Sequence, residues 1–123
     1  MTAPMLKDLL TAFYAKLRVD PVLGPVFIEI IGDDWDAHME TIHRFWATVT
    51  RVGTGYKGRD FLPTHTKHPS IKVDQLPHWL ALFRETAHER CRPDAAAVLI
   101  DIAERVAENI AIGLDARDRR TDA

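Results

Sequence analysis

The sequence predicts an all-α protein. Three observations carry this: apolar residues recur every three or four positions in five stretches, no stretch alternates with the period of a strand, and prolines fall at the ends of the stretches or between them. At 123 residues the chain has the size of one domain, so 1–123 reads as a single unit with its own core.

Leu6, Leu9, Leu10, Phe13 and Leu17 define a first helix over about residues 4–19. Asp20 ends it, because the residue before a proline (here Pro21) disfavours helical backbone. Val22, Leu23, Val26, Phe27, Ile30 and Ile31 mark a second, shorter helix that stops at Gly32. Asp33 or Asp34 is placed to cap a third helix reaching about Arg51, with Trp35, His38, Ile42, Phe45, Trp46 and Val49 on one broad face. From Gly53 to Val73 the chain is rich in glycine, proline and polar residues, and at most one helical turn is expected there, near Leu62 to Lys67. Asp74 then caps a fourth helix across Leu76, Trp79, Leu80, Leu82, Phe83 and Ala87, to about Arg90. Pro93 and Asp94 start a last helix. Its stripe of Leu99, Ile102, Ala103, Val106, Ile110 and Leu114 runs out near residue 115, and the charged tail DARDRRTDA is expected to fray from about 116.

Charge and composition narrow the function. A net charge of -2 and a pI near 6.3 give no basic field, so neither nucleic acid nor membrane is expected as a partner. No run of about 18 apolar residues occurs, and MTAPMLKDLL lacks the basic lead and cleavage site of a signal peptide. Cys91, the sole cysteine, allows no intramolecular disulfide and no multi-cysteine metal site; a reducing, cytoplasmic setting is expected. No nucleophile elbow, phosphate loop or dinucleotide glycine motif is present. A metal site on His38, Glu40 and His43 fails on geometry, since positions 38 and 43 point about 140° apart around a helix.

The long segment before the fourth helix asks for a ligand or a function to hold it. It carries His65 and His68, while His38 and Tyr14 lie on the apolar faces of the third and first helices; together they outline one polar-lipped cavity. Phe13, Phe27, Ile42, Phe45, Trp46, Trp79, Leu82 and Phe83 are available to line it. A large apolar slot, one imidazole ligand to iron and a few polar groups opposite are what haem requires. Tyr14 is the best candidate to hydrogen-bond a bound dioxygen or peroxide, because a buried phenol needs a partner. His43, His78 and His88 read as surface or helix-rim residues, and Cys91 as inert.

Several of these segments fall in a familiar order. FYAKLRVDPVLGPVF (Phe13 to Phe27), WDAHMETIHRFW (Trp35 to Trp46), GYKG (Gly55 to Gly58), a histidine in a short loop, and HWLALF (His78 to Phe83) together resemble a group III truncated haemoglobin over about residues 6–115. The resemblance implies the two-on-two helical sandwich of truncated globins around haem b. It implies His65 as proximal iron ligand, with His68 as the alternative ligand or a contact to a haem propionate. It implies a distal pocket of Tyr14, His38, Ile42 and Trp79, the last directing its indole N–H to the ligand. Phe45 and Trp46 match the pair that packs the haem edge, and Phe27 and Phe83 join them as haem-packing residues.

A protein built this way is expected to bind dioxygen or another small diatomic ligand at five-coordinate iron. Donors such as Tyr14 and Trp79 would retain it, which suits nitric oxide dioxygenation or peroxide activation better than diffusive oxygen delivery. No reductase domain is fused, so such chemistry requires a separate reductase. The reading of a different class is a haem-free helical interaction module, which would show an exposed apolar patch in place of a filled slot.

Overall fold

The structure is a computed structural model and describes residues 2–50 and 69–122. Among them lie five α-helices: α1 (Ala3–Val19), α2 (Gly24–Ile31), α3 (Trp35–Val49), α4 (Leu76–Arg90) and α5 (Pro93–Asp122), with a 3-10 turn (Val73–Gln75) leading into α4. The described residues contain no strand, and none of their helices is long and apolar enough to cross a membrane. His65, His68, the GYKG motif and the turn expected at Leu62 to Lys67 lie outside the described residues.

Helix α1 is the hub. Its stripe of Leu6, Leu9, Leu10, Phe13 and Leu17 is sealed from solvent, and it packs against α2, α3 and α4, while α4 packs in turn on α5. Two helix pairs, α1 with α3 and α4 with α5, are thereby joined through α1 and α4, in the all-α arrangement the sequence predicted. Each fully buried leucine contributes about 1.5–3 kcal/mol by leaving water, so truncating any one to alanine would open a costly void in this hub.

Local chemistry sets the corners. Thr2 Oγ1 accepts the Met5 amide hydrogen at 3.3 Å and caps α1, with Pro4 in the first turn where no amide hydrogen is required. At the other end Asp20 leaves the helix and its Oδ2 accepts from the amides of Val22 (3.0 Å) and Leu23 (2.8 Å), turning the chain into α2. Gly24 opens α2 against the last turn of α1, where a Cβ would stand 2.7 Å from the Arg18 carbonyl oxygen. Gly32 ends α2 with φ at +58°, a left-handed conformation that other residues adopt only at a cost.

Three expectations need correction. The fourth helix does not begin from an Asp74 cap: Asp74 lies in the 3-10 turn and Gln75 holds the cap position. Gln75 earns its place there by accepting from the Lys72 amide (3.0 Å) and donating to the Ser70 carbonyl (3.0 Å). Asp34 does sit at the start of α3, yet its side chain makes no capping bond, and the helix ends at Val49 with Thr50 Oγ1 folded back on the Trp46 carbonyl at 2.6 Å. The last helix continues to Asp122 instead of stopping near 115. Arg117 accounts for the extension: it is only 16% exposed and donates through Nη2 to the Ile71 carbonyl at 2.8 Å, so the polar tail is fastened to the segment ahead of α4.

Candidate functional site

Tyr14 follows Phe13 on the buried side of α1 and is 5% exposed. His38 stands one turn into α3, and the two rings meet edge-on at 5.8 Å between centroids. Phe27 of α2 closes on both, at 6.0 Å from Tyr14 and 6.4 Å from His38. The corner between α1 and α2, set by Asp20 and Gly24, is what brings Phe27 back to this point.

Phe13 extends the cluster toward α4. It lies edge-on to Tyr14 (5.1 Å), Trp79 (5.5 Å) and Phe83 (5.1 Å), so α1 and α4 share one aromatic seam. Phe83 stacks on Trp46 at 5.1 Å and on Trp79 at 5.8 Å, and Phe45 meets Trp46 edge-on at 6.0 Å. Ring contacts therefore connect Tyr14, His38, Phe27, Trp79, Phe83, Trp46 and Phe45, and Ile42 packs half-buried against the same core.

The exposure pattern on α3 bears on what this cluster can hold. Positions 38, 42, 45 and 49 share one face within about 60° of arc. His38, Ile42 and Phe45 there are only half-buried and Val49 is 40% exposed, whereas neighbouring Trp46 and Ala47 are shut in the core. An apolar helix face left incompletely covered, carrying one imidazole and bordered by aromatic rings, fits a broad flat apolar group such as haem. The polar groups agree in kind: the Tyr14 hydroxyl and the Trp79 indole N–H belong to rings of the same cluster, both edge-on to Phe13. Burial pushes the Tyr14 phenol far above its ordinary value, so it stays a neutral donor. Two such donors suit a small ligand that supplies an acceptor atom.

Some parts of the site were not read from the sequence. Trp35, taken only as one of the apolar residues of α3, packs against Tyr14 (6.3 Å), Phe27 (6.4 Å) and His38 (5.6 Å), and the Arg18 guanidinium lies 4.4 Å over its ring. The three-residue spacing from Trp35 to His38, which stacks them on one helix face, was the available signal. His43 is half-buried at the helix rim, with its Nδ1 shut from solvent without a hydrogen-bond partner among the described residues. His78 is tied to Asp20 at 2.8 Å and belongs to the corner. His88 is exposed as expected, and burial, with the Asp8 carboxylate, raises the Cys91 thiol, in keeping with an inert cysteine. No group of three or more His, Cys, Asp or Glu residues able to hold a metal ion occurs among the described residues.

Comparison with known proteins gives two relatives. The chain is 30% identical over 104 residues to the group 3 truncated hemoglobin ctb of Campylobacter jejuni, covering 82% of this chain and 81% of that protein. The crystal structure of a group III truncated hemoglobin from Campylobacter jejuni superposes with a TM-score of 0.85 at 26% identity, over 93% of this chain and 91% of the other. No family model matches.

Proposed function

Because this chain belongs to the group III truncated haemoglobins, we propose that it holds haem b through His65 and admits dioxygen or another small diatomic ligand beside Tyr14, His38 and Trp79. The observation that carries this is the ring cluster around Tyr14, a phenol that is 5% exposed, kept protonated by burial, and edge-on to Phe13, Phe27 and His38. A protonated phenol so placed can donate its hydrogen to a ligand held beside the ring cluster.

When bound, haem would supply an iron that can take a small diatomic ligand, and His65 would hold it. The protein residues do the rest. Tyr14 and Trp79 offer hydrogens to the ligand, and Ile42 keeps that side apolar so that the donors act at low dielectric. Phe27, Phe45, Trp46 and Phe83 would pack the haem, and the family resemblance makes His68 a propionate contact or alternative ligand. Retention by two donors favours chemistry on the held ligand, such as nitric oxide dioxygenation or peroxide activation, with electrons returned by a separate reductase.

The test is the absorption spectrum of haem-loaded protein, ferric and ferrous, beside His65→Ala and His68→Ala. The reading predicts that His65→Ala alone loses haem or the spectrum of an axial histidine. Loss in His68→Ala instead moves the ligand to His68, and a wild-type chain that takes up no haem replaces this reading with the haem-free helical module.

A further inference from the structure

The Arg18 guanidinium stands over the Trp35 ring at 4.4 Å, an unusually close seat for a side chain that is otherwise exposed. Trp35 in turn packs on Tyr14, Phe27 and His38, meeting His38 at 5.6 Å with a 40° tilt, more nearly face to face than Tyr14 or Phe27 does. Trp35 opens α3 directly after the corner formed by Asp33 and Asp34, where no side-chain capping bond fixes the first turn. The ring packing of Trp35 and the cation above it help to hold this turn onto α1, beside the Tyr14–His38 contact.

We propose that Trp35, clamped by Arg18, is a positioning residue that holds the His38 ring against Tyr14 and closes the distal pocket on the side of the α1–α2 corner. The inference rests on the reading of Tyr14 and His38 as a ligand pocket and adds to it the device that keeps the pocket shut. Arg18 acts from outside and touches no ligand. Lysine at position 18 retains the charge but not the flat guanidinium, so it restores the clamp only in part.

Flash photolysis of the ferrous protein with carbon monoxide as probe tests this on wild type, Arg18→Ala, Arg18→Lys and Trp35→Phe. Arg18→Ala and Trp35→Phe are expected to speed bimolecular association by about two- to fivefold, the shift that loss of one exposed cation–π contact permits, with Arg18→Lys in between. The carbon monoxide stretching band, which reports the polar groups facing the ligand, is expected to broaden or split in Arg18→Ala; a purely structural role would lower the melting temperature and leave the band unchanged. Rates and band equal to wild type in both Arg18→Ala and Trp35→Phe overturn the clamp while leaving the pocket reading intact. A wild-type protein that takes up no haem or carbon monoxide overturns both.

Discussion

Nε2 of His78 lies 2.8 Å from Oδ1 of Asp20, tying the first turn of α4 to the corner between α1 and α2. The other carboxylate oxygen is occupied by the Val22 and Leu23 amides, so one side chain fixes three pieces of backbone that together place Phe27 and Trp79.

The corner is acid-sensitive. Burial alone would raise the Asp20 carboxyl, but hydrogen bonds from the Leu23 amide, the His78 ring and the Val22 amide outweigh it and hold the group below its ordinary value. A carboxyl held lower in the folded chain than in the unfolded one stabilises fully above its unfolded value, about 3.9, and loses that contribution as pH falls through the folded value. Asp20→Ala is expected to cost about 1–2 kcal/mol at pH 7, as for other capping carboxylates, with the gap to wild type narrowing as pH falls below about 4. Urea unfolding at a series of pH values measures this; a gap that stays constant into acid contradicts it.

Gly24→Ala should be worse than its size suggests. The added methyl would meet the Arg18 carbonyl oxygen at 2.7 Å, and a backbone atom inside α1 has little room to yield. We expect a loss of about 1–3 kcal/mol, typical of overpacking, read as a melting temperature lower by several degrees. An unchanged melting temperature would show that α2 can pivot away from α1.

Tyr14→Phe separates stability from ligand retention. The ring contacts survive, so stability should change by no more than about 1 kcal/mol. Release of dioxygen from the ferrous protein should quicken on the order of tenfold, the equivalent of one lost hydrogen bond. Because burial holds the phenol protonated, wild-type release should be flat between about pH 6 and pH 9 on this group's account. Stopped-flow displacement by carbon monoxide gives both results.

Arg117→Ala should release the end of α5. Without the bond to the Ile71 carbonyl, amide hydrogens from about residue 116 onward are expected to exchange faster by at least tenfold, the effect of about 1.4 kcal/mol of local stability. Exchange read by mass spectrometry or NMR, with residues 99 to 110 as internal control, decides it.

The residues legible in the sequence were those whose surroundings repeat with the helix. Leucine spacing gave α1, and Gly32 and Pro93 marked ends that the structure retains, because backbone geometry at such residues is dictated locally. The aromatic set of Tyr14, Phe27, His38, Phe45, Trp46, Trp79 and Phe83 was also readable, since each lies on the apolar face of its own helix and such faces are drawn together out of water. Asp20 with His78, Ser70 with Glu29, and Arg117 with Ile71 were not, because each joins residues 41 to 58 positions apart through polar atoms, which leave no periodic trace. For the same reason a polar tail looked unfit to continue a helix until its partner in space was known.

Arg117 and Ile71 have a bearing on how the chain is made. Arg117 follows Ile71 by 46 positions, all of which must be synthesised and α4 and α5 laid back before that bond can close. Contacts of long sequence separation form late, since the intervening chain must first surrender its freedom. The stretch Ser70 to Lys72, which follows the segment carrying His65 and His68, is therefore secured on one side by Glu29 long before it is secured on the other by Arg117. A nascent chain on the ribosome would hold a nearly complete aromatic core while this junction was still waiting for the final helix.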